Sequence, residues 1–82
     1  MVGASMSIKT QFTTKLLFQR KMRHLTQEQT AEKLGISTRW YQKIETGHSE
    51  PNLELTCKIA REFDINFSLF YDEIIEDDYN ML

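Results

Sequence analysis

Cysteine, proline and glycine are scarce in this 82-residue chain, with one, one and three copies respectively. The single cysteine, Cys57, cannot form an intramolecular disulfide, which suits a reducing, cytoplasmic setting. Cys57 lies in an apolar helical pattern, so it is expected to be a buried core thiol rather than a reactive one. Neither His24 nor His48 pairs with it at a metal-ligand spacing, and no metal or other cofactor is expected. No apolar run approaches the ~20 residues that cross a bilayer, so no membrane span is expected. Met1-Val2-Gly3-Ala4-Ser5 lacks the basic-then-apolar order of a secretory signal and reads as a loose end. No Val/Ile/Thr alternation is long enough for a sheet. A Gly-rich phosphate loop is missing, as is any Ser/His or Cys/His arrangement with an orienting group, so an enzyme is not expected.

What is present fits one small helical domain. A chain of this size buries only about 60% of its unfolded surface, so its stability margin is thin. The apolar fraction of 40% and charged fraction of 27% are those of a globular protein. The net charge of −2 conceals a division. From Lys9 to His48 eight basic residues face three acidic ones, a net +5; from Ser49 to Leu82 two face nine, a net −7. Such a domain can offer its basic side to phosphates, or simply carry two solvated faces.

Capping and stop signals divide the chain into five helical segments. The first runs from about Ile8 to His24, with Phe12, Leu16 and Leu17 sharing a face with Arg20. Thr26-Gln27-Glu28-Gln29 matches a capping box at the start of the second. Ala31 and Leu34 face inward there, and Gly35 supplies the left-handed stop. Ser37 is a good N-cap for the third. Tyr41 and Ile44 are spaced to face the core, and Gly47 is the next stop. After the loop His48-Ser49-Glu50-Pro51, the fourth helix covers about Asn52 to Phe63. Leu53, Cys57, Ala60 and Phe63 form its predicted stripe, with Leu55 and Ile59 beside it. Asp64-Ile65-Asn66 is a turn. A fifth helix is predicted from Phe67 to about Ile75, with Leu69, Phe70, Ile74 and Ile75 as candidate apolar contacts. Residues 1–7 are expected to be flexible, 8–75 to form the domain, and 76–82 to be an acidic tail.

The stretch from Gln27 to Thr46 carries the function. A short helix ends at Gly35 and another begins after Ser37, the spacing of a helix-turn-helix. Close crossing of the two demands a small inward residue, and Ala31 is one. Ile36, Tyr41 and Ile44 can pin the second helix from beneath. Its outer face then carries Thr38, Arg39, Gln42 and Lys43, a donor-rich set at the end that meets base edges in such motifs.

The chain resembles the phage repressor and Cro-type, or Xre-type, helix-turn-helix domains. The matching residues are Arg20, Leu25-Thr26-Gln27, Ala31, Leu34-Gly35-Ile36-Ser37, Lys43-Ile44-Glu45, Gly47, Pro51, Ala60 and Phe63, so the likeness covers about Leu16 to Phe70. It implies an all-α fold, a compact five-helix bundle like that of the lambda repressor. It also implies roles by position. Gln27, at the start of the second helix, would bond a DNA phosphate, aided by the helix N-terminus. Thr38, Arg39 and Lys43 occupy base-reading positions, and Arg39 is suited to guanine O6 and N7. Lys43 is open between base, phosphate and solvent, and Gln42 between a base contact and solvent. Lys21 and Arg23 are expected on a solvated face, with contact to flanking phosphates as the alternative. Arg20 and Glu45 match a partly buried salt bridge between the first and third helices. Three departures stand out. Thr30 replaces a usual apolar residue, weakening the pin between the second and third helices. His24 replaces a common glycine after the first helix. Trp40 and Tyr41 replace smaller residues; Tyr41 is expected in the core, and Trp40 either packs on a neighbouring helix or stacks on sugar and phosphate.

Together these features imply a transcription regulator, repressor in type, that binds double-stranded DNA. A domain this small reads few base pairs, so a homodimer on a two-fold operator is expected. The alternative is an antitoxin-type interaction module that also binds DNA and meets a protein partner through its acidic C-terminal half.

Overall fold

Each of the four α-helices in the computed structural model, which describes residues 7–70, begins at a side-chain cap. Helix α1 spans Ile8–Met22, α2 Gln27–Leu34, α3 Thr38–Glu45 and α4 Leu53–Glu62. The caps are Ser7, Thr26, Ser37 and Asn52, each with extended backbone and a side-chain oxygen accepting from the third helical amide. Each cap contributes on the order of 1 kcal/mol. At Thr26 the capping box is complete, because Gln29 Oε1 also accepts from the Thr26 amide at 2.9 Å.

The helix ends share one geometry. His24, Gly35, Gly47 and Asp64 all have positive φ, at 56°, 72°, 82° and 57°. Beyond each, the next amide reaches back five residues: Leu25 to Arg20, Ile36 to Ala31, His48 to Lys43 and Ile65 to Ala60. This closure satisfies carbonyls that a helix end would otherwise leave unpaired. It also turns Leu25, Ile36 and Ile65 inward, where they pack on the core.

The described residues contain no strand, and the fold is all-helical. Leu16, Tyr41, Ile44 and Ile59 are fully buried at its centre, with Phe63 beside them. Leu17 is half-buried at the edge of the α1 face. Thr30 is also fully buried, and its hydroxyl donates to the Thr26 carbonyl at 2.9 Å. The polar atom is satisfied within its own helix, so no desolvation penalty weakens the contact with α3.

Two expectations need correction. Of the predicted α4 stripe, Phe63 is buried and Ala60 packs on the core, but Leu53 and Cys57 are exposed, and Leu55 and Ile59 form the buried face with Phe63 instead. Leu53 is 81% exposed, and Cys57 is an exposed free thiol rather than a core one. Both sets repeat at helical spacing and share the Phe63 end, but Leu55 and Ile59 offer more apolar volume than Leu53 and Cys57. The second concerns only the part of the fifth helix that is described, since residues 71–75 lie outside the described residues. Its described part is a single 3-10 turn, Phe67–Phe70, opened by Asn66, whose Oδ1 accepts from the Ser68 amide at 3.0 Å. Phe67 stacks on Phe12 at 5.6 Å between ring centroids and meets Phe70 edge-on at 5.4 Å, which fastens this turn to α1. Ile74, Ile75, the 76–82 tail and residues 1–6 lie outside the described residues.

Candidate nucleic-acid interface

The helix-turn-helix is held to α1 by a polar cluster around Glu45. The Arg20 guanidinium forks onto the carboxylate, with Nε 2.7 Å from Oε2 and Nη2 3.0 Å from Oε1. Its Nη1 donates to the Leu25 carbonyl at 2.8 Å. The pair is well covered, with side-chain exposures of 12% and 6%. Gln27 Nε2 donates to Glu45 Oε1 at 2.9 Å, and the Tyr41 hydroxyl donates to Oε2 in a short hydrogen bond. Glu45 therefore gathers groups from α1, α2 and α3 on two oxygens.

The ionisation of the cluster follows from these contacts. Burial pushes the Glu45 carboxyl upward, but hydrogen bonds from Arg20, Tyr41 and Gln27 outweigh it and hold the group below its usual 4.5. The hydrogen bond to Glu45 raises the Arg20 value further, against burial. Burial, then the bond to the Glu45 carboxylate, drives the Tyr41 phenol well above its usual 10.0. Glu45 is thus an anion, Arg20 a cation and Tyr41 a neutral donor.

Outside this cluster the face of α3 is open. Arg39, Gln42 and Lys43 are exposed, and Thr38 is half-buried one turn before Gln42. Arg39 and Lys43 border a shallow groove with Ser37, Trp40 and Ser49. Trp40 itself is half-buried and packs against the core. Gln27 lies at the junction, because its Oε1 accepts from Gln42 Nε2 at 3.1 Å. The structure thus brings Gln27, Gln42 and Glu45 into one chain of hydrogen bonds. The Tyr41 hydroxyl is the member that sequence reasoning missed; its spacing of four from Glu45 on a helix is the signal that would have found it.

A family model described as helix-turn-helix matches residues 17–70. The chain belongs to the helix-turn-helix family. DNA binding and transcription regulation are the functions of this family. An uncharacterised HTH-type transcriptional regulator of Methanocaldococcus jannaschii is 41% identical over 64 residues, which cover 78% of this chain and 94% of that protein. No solved structure matches the chain at a significant level. No helix among the described residues is long and apolar enough to cross a membrane.

Proposed function

We propose that this helix-turn-helix protein is a sequence-reading repressor of transcription that lays α3 in the major groove of its operator. The observation that carries this reading is the row of polar side chains on the outer face of α3, above all Arg39 and Lys43, exposed beside a capped helix start. Glu45, Arg20 and Tyr41 fix the height and rotation of α3 from within, so its outer side chains meet a duplex from a set position. Thr38, Arg39, Gln42 and Lys43 then face base edges, and Gln27 bonds a phosphate with the second hydrogen of its amide. Trp40, packed at its base, adds an edge to the sugar-phosphate wall. Lys and Arg on a basic segment supply the sequence-independent part of the affinity. Two copies on a two-fold site would double the number of bases read.

The test is selection from a random duplex pool with the purified chain and with Arg39→Ala. The expected result is a two-fold-symmetric site, with one position per half-site relaxed in the variant by about 1–3 kcal/mol of discrimination. Binding that enriches no sequence and disappears as salt rises would reduce the interaction to phosphate attraction and end this reading.

A further inference from the structure

Helix α4 buries one face and leaves another open. Its exposed face carries Leu53, the most exposed large apolar side chain among the described residues, together with Glu54, Cys57 and Arg61. Neither Glu54 nor Arg61 forms an ion pair with a described residue. On its own helix Glu54 is spaced to pair with Lys58, four residues on, but the Lys58 ammonium is turned to the Leu34 carbonyl at 3.1 Å. One turn back from Arg61 stand Cys57 and Lys58, neither of them acidic. An apolar side chain, an anion and a cation thus share one face of α4, and the fold of the single chain does not use them.

The pattern on this face is self-complementary. With Cys57 at its middle, a turn of about 100° per residue puts Leu53 and Ala60 to one side and Glu54 and Arg61 to the other. Leu53 and Glu54 precede Cys57 along the axis; Ala60 and Arg61 follow it. A second α4, antiparallel about a two-fold axis at Cys57, reverses the order along the helix and keeps the sides. Glu54 then meets Arg61 of the second copy, Leu53 meets the small, half-buried Ala60 of the second copy, and each contact occurs twice. A parallel copy would instead set Glu54 against Leu53 and Arg61 against Ala60, with no charge paired. The other exposed apolar pair, Phe18 and Met22 on α1, offers no such match. That helix carries Lys15 and Lys21 and no acidic residue, so a second copy there would bring cations against cations.

We propose that the exposed face of α4 is the surface on which two copies of this chain pair, antiparallel about Cys57. This rests on the reading that two copies occupy a two-fold site, and it names the surface that joins them. Exposed ion pairs contribute little each, so Glu54 and Arg61 act mainly by fixing direction and register. Leu53 supplies the apolar burial. A contact one helix wide and ten residues long is small beside the roughly 1,200–2,000 Å² of a stable interface. Pairing is therefore weak in free solution and completes on a duplex that holds both copies side by side. The apolar stripe through Leu53 and Cys57, left outside the core, is then covered.

The experiment measures self-association of the full-length chain by sedimentation equilibrium in reducing buffer, free and on the duplex selected from the random pool. It compares wild type with Leu53→Ser, Glu54→Arg, Arg61→Glu and the double variant Glu54→Arg/Arg61→Glu. Wild type should dimerise, most strongly on the duplex. Leu53→Ser and each single reversal should weaken pairing on the order of tenfold. The double reversal should restore it. Glu54 and Arg61 stand two turns apart and cannot reach each other within one helix, so only an antiparallel second copy gives that recovery. A short bismaleimide should link Cys57 to Cys57 of the second copy in wild type and the double variant, and far less in the single reversals. All three altered side chains are exposed, so the core stays intact, and circular dichroism checks the variants. Dimers that are indifferent to these changes, or that the double reversal does not recover, overturn the proposal and leave the two-fold operator standing. A monomer both free and on the duplex overturns both. The predicted pattern in free protein, with no two-fold site in the pool, upholds the α4 surface and ends the operator reading.

Discussion

His24 occupies a backbone position that favours glycine. Its φ of 56° lies in the left-handed region, where a Cβ crowds the following carbonyl. The position exists because the Leu25 amide must reach the Arg20 carbonyl to close α1. Gly35 and Gly47 hold the same conformation at φ values of 72° and 82° without that strain. His24→Gly is therefore expected to stabilise the fold by about 0.5–1 kcal/mol, the relief of strain exceeding the extra unfolded-state entropy. Urea unfolding checks it: the midpoint should rise with an unchanged slope. A lower midpoint would mean that the exposed imidazole contributes more than the backbone loses.

Between α2 and α3 the controlling feature is the turn at Gly35. Its φ is 72°, and a Cβ added there would meet Lys58 Nζ at 3.6 Å, an ordinary contact with the end of a flexible side chain. The cost of Gly35→Ala is therefore one of backbone conformation and not of collision, about 1–2 kcal/mol. Lys58 Nζ also donates to the Leu34 carbonyl at 3.1 Å and so ties the end of α2 to α4. Thermal or urea unfolding of Gly35→Ala should show that moderate loss with the helical spectrum retained. A loss several times larger would show that the turn, and with it the α2–α3 crossing, cannot adjust locally.

Stability of the whole molecule depends on pH through the cluster that joins α1, α2 and α3. The Glu45 carboxyl is held below its usual value in the folded state. Its contribution is thus fully present above the unfolded value near 4.5 and is lost as pH falls through the lower folded value. Glu45→Gln should flatten this part of the acid limb. At neutral pH it should destabilise by about 1–3 kcal/mol, because the partly buried Arg20 is left opposite a neutral group. Denaturant titrations of wild type and variant from pH 3 to pH 7 read both effects, and parallel curves would count against them. The phenol has the opposite sign. The Tyr41 value is raised by burial and by Glu45, so its contribution is present below the unfolded value near 10.0 and is lost in more alkaline solution. The division of charge acts at the same scale: the segment from Lys9 to His48, net +5, builds α1 to α3.

The amino-acid sequence by itself determined the four α-helices and their caps, because these depend on hydrogen bonds spanning three to five residues. Thr26 with Gln29, Ser37, Gly35 and Gly47 act where their neighbours place them, and the resemblance paired Arg20 with Glu45 before any distance was known. Tertiary structure decided what depends on the rotation of one helix against the others. The sequence of α4 carries two apolar stripes that meet at Phe63, and only its packing against the other helices selects Leu55 and Ile59 over Leu53 and Cys57. The destinations of polar atoms belong to the same class. A tyrosine in a core pattern reads as apolar volume, yet the Tyr41 hydroxyl ends on Glu45. From the sequence Gln42 is open between a base contact and solvent, yet in the folded chain it also reaches Gln27. Both results follow from burying one carboxylate where three helices meet, since its two oxygens attract every donor within reach and each donor then constrains the next.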